Sequence, residues 1–118
     1  MFIGEFSKRV GTTTKTIRHY EAIGLLPEAE RQGRYRVYDE RYIETVKQIR
    51  LAQSLGFSLN QIKQLCQGAN INYGLPKHVL LTALSEREAQ LKTQIAKCQQ
   101  QLNDIKSFNL LLANSNCA

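Results

Sequence analysis

Residues 12–26 read T-T-T-K-T-I-R-H-Y-E-A-I-G-L-L. At about 100° per residue, Thr13, Ile17, Tyr20 and Glu21 gather on one side of a helix, while Lys15, Arg18 and His19 gather on the other with Thr16 at the edge. The stretch predicts a short helix with a cationic, hydrogen-bonding outer face. Such a face suits a major groove, where Arg and Lys reach phosphates or guanine edges and Thr donates to phosphate oxygens. Upstream, Ile3, Phe6 and Val10 recur at helical spacing and stop at Gly11. Two helices joined at a glycine, the second carrying the basic face, form a helix-turn-helix pattern.

Working outward, Thr12 to Thr14 supply a hydroxyl cap for the second helix, and Gly24 and Pro27 end it, with Leu25 and Leu26 closing the core. Glu28 to Tyr38 alternates around Gly33 and predicts a two-stranded hairpin, a wing on which Arg34 and Arg36 share one face and Tyr35 and Val37 the other. Asp39 is placed to cap a third helix to about Leu55, with Tyr42, Ile43, Val46, Ile49 and Ala52 as its apolar stripe. Ser58-Leu59-Asn60-Gln61 is a capping box opening a fourth helix, its apolar face formed by Leu59, Ile62, Leu65 and Cys66. Gly68 closes that helix, and Ala69 to Gly74 reads as a polar connector.

Residues 77–112 contain no Gly, Pro or Tyr. Their apolar positions follow a heptad: Leu81, Glu88, Ile95, Leu102 and Asn109 at one position, Leu84, Leu91, Cys98, Ile105 and Leu112 at the other. That is a coiled-coil seam. Such a seam cannot stand alone in water, and no second long helix follows for it to fold back on. Pairing with another copy through Leu81, Leu84, Leu91, Ile95, Cys98, Leu102, Ile105 and Leu112 is therefore expected. The predicted organisation is a DNA-binding domain over 1–68, a connector over 69–76, a dimerisation helix over 77–112 and a short tail over 113–118. The fold class is all-α with a small β wing.

A net charge of +6 favours a polyanionic partner. The cations cluster, with Lys8, Arg9, Lys15, Arg18, Arg31, Arg34, Arg36 and Arg41 all in the first 41 residues. No hydrophobic run follows Met1 and no stretch approaches the length of a membrane span, so a cytoplasmic protein without a membrane partner is expected. Three cysteines, at 66, 98 and 117, form no C-x-x-C pair and argue against a disulfide framework. Paired carboxylates, a nucleophile with a local base and a Gly-rich phosphate loop are all missing from the sequence, which predicts no enzyme.

I-G-E-F-S-K-R-V-G, then T-K-T-I-R-H-Y-E-A-I-G-L-L-P, then G-R-Y-R-V-Y together resemble the MerR family of bacterial transcriptional regulators. The resemblance covers roughly the first 68 residues by motif and the long helix by architecture. It implies a winged helix-turn-helix followed by a long helix that pairs antiparallel in a homodimer. It also implies a palindromic operator in double-stranded DNA, at a promoter with a long spacer whose centre is underwound on activation, with RNA polymerase as a further partner. The DNA contacts expected from pattern and resemblance are Thr14, Lys15, Thr16, Arg18, His19, Tyr20, Arg31, Arg34, Tyr35, Arg36 and Tyr38. Thr12 and Thr13 stand where a Val-Ser type entry is common, and His19 where Tyr or Phe is.

The resemblance leaves the effector, and any cofactor, unknown. Metal-sensing members carry a cysteine at the start of the long helix or two after it, whereas Lys77 and His78 stand at that start here; no metal ligand set is expected. An antiparallel overlap centred on the seam sets Cys117 opposite Pro76 to His78 of the second copy, making His78 and Cys117 the candidate effector residues. A metal, a thiol oxidant and an organic ligand all remain open, the last in the space between the long helix and the DNA-binding domain. The competing reading is a coiled-coil interaction module whose basic domain binds an acidic protein.

Overall fold

The computed structural model describes residues 1–115, which divide into a compact unit, Met1–Leu80, and a second unit from Leu81 onward. Helix α1 runs over Ile3–Val10 and ends at Gly11, whose φ of 73° is left-handed, the backbone a glycine enters without a Cβ clash. Helix α2 spans Thr14–Ala22, capped by the Thr13 hydroxyl, which accepts from the Thr16 N–H at 3.2 Å.

The wing consists of β1, Glu30–Gln32, and β2, Tyr35–Val37, paired antiparallel with Gln32 opposite Tyr35 and Arg31 opposite Arg36. Gly33 and Arg34 are thus the two loop residues, and Gly33 takes φ 64° while Arg34 does not turn positive, as a II′ hairpin turn requires. This corrects the expected face-sharing of Arg34 and Arg36: Arg34 sits in the turn and Arg36 in the strand. The main chain at the N-terminus extends the hairpin, since Phe2 bridges to Val37 and the Met1 amino group donates to the Tyr38 carbonyl at 2.9 Å.

Asp39 caps a 3-10 turn, Glu40–Tyr42, which leads into α3, Ile43–Ser54. Helix α4, Leu59–Leu65, opens with the Ser58/Gln61 capping box and ends at Cys66, two residues before Gly68. Phe6, Ile17, Tyr20, Val46, Ile49 and Ile62 form the fully buried centre of this unit, and Phe6 stacks on Tyr38 with ring centroids 4.9 Å apart.

The segment read as a polar connector is strapped onto α3. Thr45, wholly buried, donates its hydroxyl to the Ile71 carbonyl and accepts from the Gly74 N–H at 3.0 Å. Leu75 N–H reaches Gln48 at 2.7 Å, and Tyr73, held at φ 63°, donates its N–H to the Arg41 carbonyl at 2.8 Å. These side chains satisfy backbone groups that neither helix nor sheet would satisfy.

Helix α5 spans Lys77–Ala113, 37 residues and so about 55 Å at 1.5 Å per residue. Leu81, Leu91, Ile95, Leu102, Ile105 and Leu112 are all exposed on it within the single chain, as are Phe108, Leu110 and Leu111. Among the described residues no helix is long and apolar enough to cross a membrane.

Candidate nucleic-acid interface

Arg18 on α2, Arg31 on β1, Arg34 in the turn and Arg36 on β2 converge on one open cleft of about 380 Å³, together with Phe2, Ile3 and Tyr35. No carboxylate lines this cleft, and among the described residues none of the four arginines forms an ion pair. Arg31 and Arg36 are direct cross-strand partners. Like charges placed opposite one another on a hairpin cost stability, so the wing carries a repulsion that a polyanion would relieve.

Thr14, Lys15 and His19 are exposed on α2 but outside this cleft, while Thr16 spends its hydroxyl on Thr13 at 2.9 Å. Tyr35 is 60% exposed and its ring lies 5.7 Å from that of Phe2.

Tyr20 and Tyr38, expected among the DNA contacts, are core residues instead, 1% and 5% exposed. Tyr20 donates its hydroxyl to Gln53 at 2.7 Å, and burial raises its pKa, opposed in part by the Arg50 charge. Tyr38 donates to Glu21, and burial, then the Glu21 hydrogen bond and charge, push its pKa up to about 12. The other Glu21 oxygen accepts from the Ala29 N–H at 3.3 Å. One carboxylate on α2 thereby holds both the entry to the wing and its exit. Phe2 and Ile3 were missed as cleft residues; the pairing of Phe2 with Val37 that brings them there leaves no mark in helical periodicity.

Residues 1–69 match the family described as MerR HTH family regulatory protein, and residues 43–108 match that described as MerR, DNA binding. The chain belongs to the MerR family. It is a DNA-binding regulatory protein and not an enzyme. It is 38% identical to heavy metal-dependent transcription regulator 2 of Rhizobium meliloti, over 90% of this chain and 72% of that protein. It is 33% identical to the HTH-type transcriptional regulator ZntR homolog of Haemophilus influenzae, over 98% of this chain and 94% of that one. Among solved structures it resembles HiNmlR, a MerR family regulator lacking the sensor domain, bound to promoter DNA, with TM-score 0.61 at 20% identity over 87% of this chain and 78% of that one. MerR family regulators bind promoter DNA as dimers.

Among the described residues of this MerR family member, no group of three or more His, Cys, Asp or Glu side chains is placed to hold a metal ion. His78 lies exposed in the first turn of α5, and its expected companion Cys117 lies outside the described residues. Cys66 is half-buried, and burial pushes its thiol pKa up.

Proposed function

We propose that two copies, paired antiparallel through α5, bind a palindromic operator and alter the conformation of promoter DNA in response to an effector. The carrying observation is the cleft of four arginines, none in an ion pair among the described residues, with Arg31 facing Arg36 across the hairpin. Arg18 and Lys15 serve the groove from α2, and Arg34 and Arg36 clamp backbone phosphates from the wing. Smooth bending of a site costs on the order of 1 to 6 kcal/mol, which these phosphate contacts offset. RNA polymerase at the promoter is the further partner, and the cytoplasm the place of action.

The test is a salt titration of operator binding. Arg34→Ala and Arg36→Ala should each lower the log-log salt slope by about 0.9 and weaken binding uniformly across sequences. An Arg34→Ala variant with unchanged affinity and slope would remove the wing from the interface.

A further inference from the structure

A second cleft, of about 650 Å³, opens within the Met1–Leu80 unit and shares no lining residue with the arginine cleft. Its apolar floor is Leu25, Pro27, Tyr42 and Ile71. The volume lies within the roughly 300–1,000 Å³ of small-molecule sites, and an apolar floor with a few polar groups at the rim is their usual composition. Carboxamides stand at this rim, Asn60 and Gln64 from α4 among them, and no Asp or Glu does.

The one charged group in the lining is Lys63. It forms no ion pair among the described residues. Its ammonium lies beside Gly24, with Nζ 3.6 Å from where a Cβ there would stand, so the cation is set against the cleft wall at the end of α2. A single unpaired cation beside amide donors and above an apolar floor complements one negative charge on an apolar body. A cationic ligand would meet only repulsion, and a phosphate dianion would find half the positive charge it needs.

We propose that this cleft binds a small organic carboxylate, its acid group on Lys63 and its apolar body on Leu25, Pro27, Tyr42 and Ile71. The site has a route to the rest of the unit. Ile71 and Asn72 belong both to the cleft wall and to the strap held by Thr45 and the Arg41 carbonyl, and α5 begins shortly after, at Lys77. Gly24 and Leu25, also in the lining, follow the Ile23 cap at the end of α2. An occupant therefore touches the end of the groove-reading helix and the segment that leads into the dimerisation helix. Its role as effector rests on the regulator reading above; its binding does not.

Cys66 lines the same cleft and reports on it. In the full chain, the reaction rate at Cys66 is followed by peptide mass spectrometry with two disulfide reagents, the anionic dithiobis(nitrobenzoate) and the neutral dithiodipyridine. Their rate ratio cancels the common thiolate fraction. Lys63 is exposed, so Lys63→Gln should leave the fold intact, and it should lower the anionic-to-neutral ratio by about threefold or more, the loss of one nearby attractive charge. Millimolar benzoate should slow both reagents on the unmodified chain and not on the variant. An unchanged ratio in Lys63→Gln, or no protection by benzoate, overturns the proposal. If Lys63 instead serves a DNA phosphate, Lys63→Gln will lower the operator salt slope by about 0.9 with the reagent ratio unmoved. That outcome also overturns it, while leaving the regulator reading standing.

Discussion

Phe6 and Ile95 are both large apolar side chains on helical faces, yet the first is fully buried and the second is 68% exposed. The unit around Phe6 closes its core with its own residues: α1 and α2 bring Phe6, Val10, Ile17 and Tyr20, and α3 and α4 bring Val46, Ile49 and Ile62. Helix α5 from Leu81 onward has a largely apolar seam, and leaves Leu81, Leu91, Ile95, Leu102, Ile105 and Leu112 of it open to solvent within one chain. Burying such a Leu or Ile is worth about 1.5 to 3 kcal/mol. The first region closes its core within one chain, whereas the second, under the antiparallel pairing proposed above, would draw its stability from a partner and should depend on protein concentration.

The strongest blow to this contrast is Leu91→Asp with Ile95→Asp. Sedimentation should then show monomer or unfolded chain, and an intact dimer would end the assignment of the seam. Next, Phe6→Ala should destabilise by about 3 to 5 kcal/mol in urea unfolding. Because Phe6 sits in the self-sufficient core, that loss should be the same at low and high protein concentration; a loss that varies with concentration would blur the contrast.

Tyr38→Phe is the smaller test, expected to cost about 1 to 3 kcal/mol by leaving one Glu21 oxygen without the hydroxyl that donates to it. Its pH dependence has a definite sign. The folded pKa, about 12, lies above the ordinary phenol value of 10.0, so between those values the folded chain holds the Tyr38 proton that the unfolded chain releases. Stability supplied by neutral Tyr38 is complete below about pH 10 and is lost as pH rises toward 12. The original chain should lose stability faster than Tyr38→Phe over that alkaline range. Parallel curves from thermal melts would show that the phenol titrates in the folded state as it does in solution.

Much of this architecture was legible from residues alone because local rules carried it. Thr13 and the Ser58/Gln61 box cap the helices they were expected to cap, and α1 has the predicted bounds Ile3–Val10. What escaped was non-local. A tyrosine suits a wet interface and a dry core equally, and what settles Tyr38 is Glu21, separated from it by 17 positions. Likewise Ala69 to Gly74 looked like a solvated linker because its composition is polar, yet its backbone is held by Thr45, a hydroxyl hidden in an apolar stripe. Alternation also cannot locate a tight turn. Gly33 decides that, and with it the place of Arg34.

Glu21 fastens Ala29 at one end of the hairpin and Tyr38 at the other to the helix that carries Arg18 and Lys15. The two tips that would touch a duplex are therefore set like the jaws of a locked calliper. A tool of that kind measures shape as well as chemistry: when jaw spacing and groove spacing differ, the softer body yields, and pyrimidine–purine steps are the softest part of B-DNA. Sequence preference would then arise partly at base pairs that no side chain reaches, from the stiffness of one carboxylate's grip.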